Sequence, residues 1–298
     1  MSLKILHLIN PYTVRDDHAK ALMELTFESL AIALQNCPDE LDIRILGVTD
    51  KREAIDLPNF IQQQPSALQT LKDIYPGQIS LAFPLMQDLL NVALSQEFDY
   101  LIYSNMDIIL QPYFYRYLAT QLPEQDALVI NRRRLADRKP LPKLAQLQSE
   151  LGWSHPGFDC FVLERKLAEQ FDFGQICIGV PFIESAFTHQ IAAFANKPKF
   201  VLDANLTLHV GLEILPKVNK AAYWHNRNEF FKKMHPRLKN KYRLSAFPYA
   251  QQATLLRLFK WMLNPSLYTK NYLKLEFASR KKRWSMRLQS WRWRFLQR

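Results

Sequence analysis

Short apolar runs alternate with amphipathic stretches along the first 200 or so residues, and this alternation limits the fold more than any other feature. Lys4 to Ile9, Leu41 to Val48, Tyr100 to Ser104, Ala127 to Asn131 and the stretch around Asp159 to Leu163 read as strands. Between them, Asp16 to Leu34, Leu85 to Leu94, Tyr113 to Gln121 and Phe182 to Ala195 carry helical patterns. Strands of this kind separated by helices imply an α/β protein whose mostly parallel sheet is covered on both faces. A chain of 298 residues, 48% of them hydrophobic, supplies a core of that size without staples.

The three cysteines, Cys37, Cys160 and Cys177, are far apart and match neither a zinc site nor a disulfide framework, so a reducing, cytosolic setting is expected. The opening MSLKILHLINPY has a short apolar run interrupted by His7 and reads as a first strand rather than a leader. No uninterrupted apolar run approaches the roughly 18 residues of a membrane-spanning helix. With seven glycines and neither GxGxxG nor GxxxxGK[ST], the chain lacks the usual dinucleotide and P-loop phosphate cradles.

Phe98 to Gln111 reads FDYLIYSNMDIILQ, an apolar stretch that continues on both sides of Asp107, two residues after Asn105. In parallel sheets ligands bind beyond the carboxyl ends of the strands. The strand Tyr100 to Ser104 ends at SNMD, which puts the Asp107 carboxylate at the rim of a crevice rather than inside the core.

A buried strand running into Asn-x-Asp and then aliphatic residues, in a body opening with a short strand and Asn10-Pro11, resembles the GT-A nucleotide-sugar glycosyltransferase family. The resemblance covers about residues 1 to 225 and is strongest from 98 to 211. It implies a GT-A-like (Rossmann-like) mixed, mostly parallel sheet flanked by helices. It also implies transfer of a sugar from a nucleotide-diphosphate donor to a hydroxyl of a glycan or lipid-linked acceptor. In that family a strand-end Asp-x-Asp binds a divalent cation, Mn²⁺ or Mg²⁺, that bridges the donor diphosphate. Asp107 matches the last Asp, whereas Asn105 stands at the first position and brings hydrogen bonds without charge.

The other implied site residues follow in the family's order. His209 in LTLHVG resembles the C-terminal histidine that completes the metal site, and Glu184 in GVPFIE resembles the acidic residue that acts as base. WSHPGFDCF, from Trp153 to Phe161, resembles the acceptor-side loop, with Trp153, His155 and Gly157 on the substrate and Asp159 a second catalytic candidate. The donor loop falls on Asn10, Pro11 and Tyr12, with Arg15 nearby for a phosphate. NRRRLADRKPLPK, Asn131 to Lys143, reads as a basic lid whose arginines meet the diphosphate.

Each of these residues has a second use that spacing leaves open. Asn105 and Asp107 also suit a turn or a cap. Glu184, in a first helical turn, also complements the helix dipole. His209 suits a structural hydrogen bond, Asp159 a brace, Trp153 the core, His155 an exposed loop, and 131–143 a solvated loop. The alternative to an enzyme is a catalytically silent domain of the same fold that binds a glycan or organises a glycan-assembly complex, and Asn105 favours it. A nucleotidyltransferase would need the glycine-rich phosphate loop that is missing.

Charge divides the chain into a body, 1–250, and a tail, 251–298. The tail holds twelve Lys or Arg against Glu276 alone, a net +11 that equals the whole chain's, so the body is neutral. It contains four of the six tryptophans, and Trp284, Leu288, Trp291 and Phe295 recur at helical steps with arginines between them. This is the pattern of an interfacial helix at an anionic membrane surface, and it predicts a cytoplasmic protein held peripherally at the inner membrane face. A protein partner and nucleic acid are the other occupants such a tail admits, the latter disfavoured by the neutral body.

Overall fold

The computed structural model describes residues 2–14, 16–80, 82–202, 204–211, 219–248, 250 and 253–263. Arg15, and residues 264–298 with the Trp284 to Phe295 pattern, lie outside the described residues. The chain runs β1 (Leu3–Ile9), α1 (Asp17–Gln35), β2 (Leu41–Asp50), β3 (Ile61–Ser66), α2 (Leu71–Ile74), α3 (Met86–Leu94), β4 (Tyr100–Ser104) and β5 (Ile109–Leu110). It continues through α4 (Phe114–Gln121), β6 (Ala127–Leu135), α5 (Leu144–Gln148), β7 (Trp153–Glu164), α6 (Arg165–Ala168), α7 (Ile183–Phe194), β8 (Pro198–Val201) and β9 (Thr207–Val210). A helical end follows: α8 (Lys220–Asn228), a π-helical segment (Glu229–Met234), α9 (His235–Leu238), a 3₁₀ turn (Leu244–Ala246) and α10 (Leu255–Leu263).

The strands form one mixed sheet in the order β3-β2-β1-β4-β7-β6-β9-β5, with β8 also paired to β6. The β1/β2, β1/β4, β2/β3, β6/β8 and β6/β9 pairs are parallel, and β4/β7, β6/β7 and β5/β9 are antiparallel. Alternation across the pleat divides the core in two. Leu6 and Leu8 of β1 join the cluster containing Met86, Leu89, Phe161 and Phe187, while Ile5 and Ile9 join that of Phe27, Leu30, Phe114 and Leu118. His7 shares the second face, fully buried between the Tyr115 hydroxyl at 2.8 Å and Ser104 Oγ at 2.9 Å. Burial pushes its pKa down to about 3, so the ring is neutral and serves as a polar staple between β1, β4 and α4.

Two segments differ from their sequence reading. Trp153 to Phe161 is not a loop but part of β7, because β6 pairs it along its length and β4 joins from Cys160. Asn131 to Leu135 is not part of a lid but the second half of β6. There Arg133 and Arg134 reach the start of β7 and the residues just before it: Arg133 donates to the carbonyls of Leu151 and Gly152 and to Ser154 Oγ, and Arg134 to the Ser154 carbonyl.

Both neighbours of β6 are interrupted at one level. Between the pairs Asn131↔Phe158 and Arg133↔Ser154, β6 advances two residues and β7 four, so His155 to Gly157 bulges out of the ladder. On the other edge, pairing passes from Ile130↔Val201 to Arg132↔Thr207, so residues 202–206 are inserted as well. Thr207 Oγ1 donates to the Asn131 carbonyl at that point, at 2.9 Å. Arg132 stands where the two interruptions face each other.

Candidate active site

Asp107 lies just beyond the carboxyl end of β4, in the turn that leads to β5. The antiparallel register of Ile109 with Leu208 carries that turn to β9 and brings His209 to it. His209 Nε2 is 3.1 Å from Asp107 Oδ2. The carboxylate side chain is 47% exposed and the imidazole 17%. Desolvation at the rim raises the Asp107 pKa, but the His209 hydrogen bond and the charges of His209 and Arg132 outweigh it, and the net shift is downwards. Tyr12 faces the same charge: its phenol is raised by burial and by Asp107. Asn10 and Pro11 are buried, and the Asn10 amide donates to the Val48 carbonyl at 2.7 Å, so Tyr12 is the exposed residue of the three.

Behind the rim a continuous polar chain runs across three strands to α7. Asn105 Nδ2 donates to Asp159 Oδ1 at 2.9 Å, and the Asn105 backbone N–H donates to the Asp159 carbonyl at 3.2 Å. Asp159 Oδ2 pairs with Arg132 at 2.8 Å, with both side chains largely buried. Arg132 also lies 3.2 Å from His155 Nε2, and the Gly157 N–H donates to His155 Nδ1 at 2.8 Å. Burial, and then the charges of Arg132 and Arg134, push the His155 pKa down to about 2, so the ring is neutral. A neutral imidazole accepts at one nitrogen only, yet donors face both. An anionic oxygen placed between Arg132 and His155 would accept from each and remove the conflict.

Glu184 closes this chain from the first turn of α7. That helix is entered through Phe182 in a left-handed conformation, φ 83°. A side chain at Gly157 would begin 2.7 Å from Glu184 Oε2 and 2.9 Å from His155 Cε1, so the carboxylate lies directly against the glycine backbone. The bulge of β7 therefore delivers His155 and Gly157 to Glu184. Trp153, half exposed, stays apart from this cluster. It pairs with Arg134, which pairs with His209, placing Trp153 and His209 on one face two strands apart, about 10 Å.

Asp159 is raised by burial and by the Asp107 charge against the pull of Arg132, while Asp107 is lowered. The two carboxylates are thus set apart: Asp107 is an exposed anion, and Asp159 is tied to Asn105 and Arg132. The sequence reading groups Arg132 with the other arginines of 131–143 and does not single out its pairing with Asp159. The signal was present in ALVINRRRL, where Arg132 and Arg134 share a face once the strand is carried on to Leu135.

The GT-A-like resemblance implies a divalent cation, and the donors can be tested for it. Among the described residues no group of three or more His, Cys, Asp or Glu is placed to hold a metal ion. Asp107 and His209 supply one oxygen and one nitrogen at the rim. That fits Mn²⁺ or Mg²⁺ as an ion shared with phosphate oxygens and water, the usual shell of a nucleotide-bound cation. His209 Nδ1 is buried without a hydrogen-bond partner, so no acceptor fixes the ring as one normally does for a metal-bound histidine. Asp107 is the firmer of the two donors.

The architecture is an α/β one: a mixed, mostly parallel sheet flanked by helices, with its polar cluster beyond the end of β4. No family model and no curated protein matches the sequence. Among solved structures, residues 1–349 of Staphylococcus aureus TarS are similar at 14% identity, with 94% of this chain and 92% of that chain covered and a TM-score of 0.46. The same protein in complex with UDP-GlcNAc gives 13% identity, the same coverage and a TM-score of 0.42. Glucosyl-3-phosphoglycerate synthase from Mycobacterium tuberculosis, in complex with Mn²⁺, UDP-glucose and phosphoglyceric acid, gives 14% identity over 71% of this chain and 73% of that one, with a TM-score of 0.40. Likenesses this distant assign no chemistry to the present chain, whose site speaks through its own side chains.

Proposed function

We propose that the protein is a nucleotide-sugar-dependent glycosyltransferase of hexosyltransferase type, moving a sugar from a nucleotide-diphosphate donor to a hydroxyl of a glycan or lipid-linked acceptor. The observation that carries the reading is a rim carboxylate, Asp107, together with a second carboxylate, Glu184, seated on bare glycine backbone at the far end of the polar chain of Asn105, Asp159, Arg132 and His155. A displacement at an anomeric carbon needs an anion-compensating end and a proton-accepting end, and these residues supply both.

Tyr12 and the INPY turn flank the donor, and Asp107 with His209 would hold Mn²⁺ or Mg²⁺ against its diphosphate. Such an ion, when bound, neutralises charge that builds on the departing nucleotide diphosphate. Arg132 and the His155 N–H present two donors to a phosphate oxygen. Glu184 takes the proton of the acceptor hydroxyl as its oxygen bonds to the anomeric carbon, and the electrons of the breaking bond pass to the leaving phosphate oxygen. Gly157, lacking a side chain, lets the Glu184 carboxylate sit against its backbone, and Trp153 offers a ring at the outer edge. Asp159 acts through Arg132 rather than on the sugar.

The second reading, a silent glycan-binding domain, is favoured by one observation: Asn105 is turned to Asp159 and adds no charge at the rim. Thermal stability against UDP-, GDP-, dTDP- and CMP-linked donors, with and without Mn²⁺, separates the two. A metal-dependent shift with one nucleotide that is lost in Asp107→Ala supports the transferase and names the donor base. With that donor, Glu184→Gln should lower turnover about 10²- to 10⁴-fold while leaving the shift intact. No shift with any donor from a folded sample leaves the silent domain.

A further inference from the structure

The end of the described chain carries an apolar face with a charge pattern beside it. α10 is fastened to the body by Leu258, which is buried in the main core with Ala246 and Phe247. On the same helix Leu255 is 81% exposed, Leu256 64% and Phe259 51%. At 100° per residue these three occupy one arc of about 100°, with Lys260 next to it and Arg257 further round. A surface helix normally turns polar residues outwards, so three large apolar side chains around one arc mark a contact face.

The chain that continues from α10 states which kind. Residues 264–298 add ten Lys or Arg against Glu276, together with Trp284, Trp291 and Trp293. Basic residues and tryptophan beside an exposed leucine and phenylalanine face match an anionic bilayer, in which apolar side chains enter the headgroup boundary and cations meet lipid phosphates. Nucleic acid would use the cations and leave the apolar face of α10 without a function. We infer that α10 seats the protein on an anionic lipid surface, with Leu255, Leu256 and Phe259 inserted and the basic residues beyond it held at the headgroups.

The seat is fixed to the candidate site. The 3₁₀ turn before α10 is tied to α7 through the Arg243 N–H on the Ala192 carbonyl at 2.9 Å, and Phe247 packs edge-on to His189 at 5.3 Å between ring centroids. α7 also carries Glu184, eight residues from Ala192 and so about 12 Å along the helix axis. The lipid surface and the proposed base therefore belong to one packed unit, and this inference stands whether or not the transferase reading does.

The test uses the full chain and co-sedimentation with vesicles of phosphatidylcholine alone or mixed with phosphatidylglycerol, at low and high salt. Binding is expected only with phosphatidylglycerol, and it should weaken as salt screens the charges. The combined variant Leu255→Asp, Leu256→Asp and Phe259→Asp should bind about ten-fold or more weakly with its melting temperature kept. Leu256→Asp alone, at an exposed position, gives a milder loss should the triple variant not fold. Absence of wild-type binding overturns the inference, as does wild-type-like binding by the folded variants. Binding to an RNA oligomer in place of the vesicles, unaffected by the aspartates, would assign the tail to nucleic acid instead.

Discussion

Arg132 has two partners and no slack. Arg132→Gln would remove the cation that Asp159 Oδ2 meets at 2.8 Å and leave a largely buried carboxylate behind. The expected cost is about 3 kcal/mol at neutral pH, the usual size when one member of a buried pair is lost. The Asp159 pKa is already raised, and without Arg132 it rises further, so the variant carries a folded-state pKa above the unfolded value. Such a group costs stability above its folded pKa and regains it on protonation. Urea midpoints should therefore show the gap between Arg132→Gln and the parent narrowing as pH falls from 7 to 5. Gly157→Ala tests the opposite end of the chain. Its new methyl would start 2.7 Å from Glu184 Oε2, so the carboxylate must move. Turnover with the identified donor should drop about 100-fold for a displacement near 1 Å, with a small change in melting temperature. Asp107, Glu184 and His209 were legible because each stands at a strand end, a helix start or an alternating strand. Arg132 was hidden: which of three consecutive arginines faces inward depends on strand register, and register is set by β7 and β9 rather than by the local sequence.

At the level of elements, helices were easier to read than strands. α1, α3, α4 and α7 fall within a residue or two of the stretches that show helical periodicity, since an amphipathic pattern over several turns has few competing explanations. α1 even begins at its sequence signal, with the Asp16 side chain accepting from the Ala19 N–H at 3.0 Å. Asp16→Ala should cost about 1 kcal/mol, measured as a shift of the chemical midpoint with the slope unchanged. Only the second part of β7, around Asp159 to Leu163, reads as a strand, because the His-Pro-Gly before it is turn chemistry, and here that chemistry makes a bulge inside a strand paired along its length by β6. β3 escaped notice because IQQQPS is polar and contains proline, composition that an edge strand tolerates. β8, only four residues long, offers no period to detect.

For the molecule as a whole, buried imidazoles set the response to acid. His7 and His189 are held near 3 and His155 near 2, in each case mainly by burial. In the unfolded chain each titrates near 6.5, so below that pH the unfolded state binds protons that the folded state refuses. Each histidine should cost about 2 kcal/mol of stability between pH 7 and 5. Denaturation at the two pH values would show a steep loss on acidification, and His7→Gln should flatten it by a third if the three act alike. One further property comes from β6, which runs on as one strand while both neighbours take up extra residues beside Arg132. Loop closure is a weak function of length, about 0.6 kcal/mol for each doubling. The connection from β8 to β9 can therefore be lengthened with little effect on β6 itself. For an engineer that makes the crevice adjustable: its width on the β9 side can be rewritten in a library of insertions, with Arg132 left on a strand that runs unbroken past them.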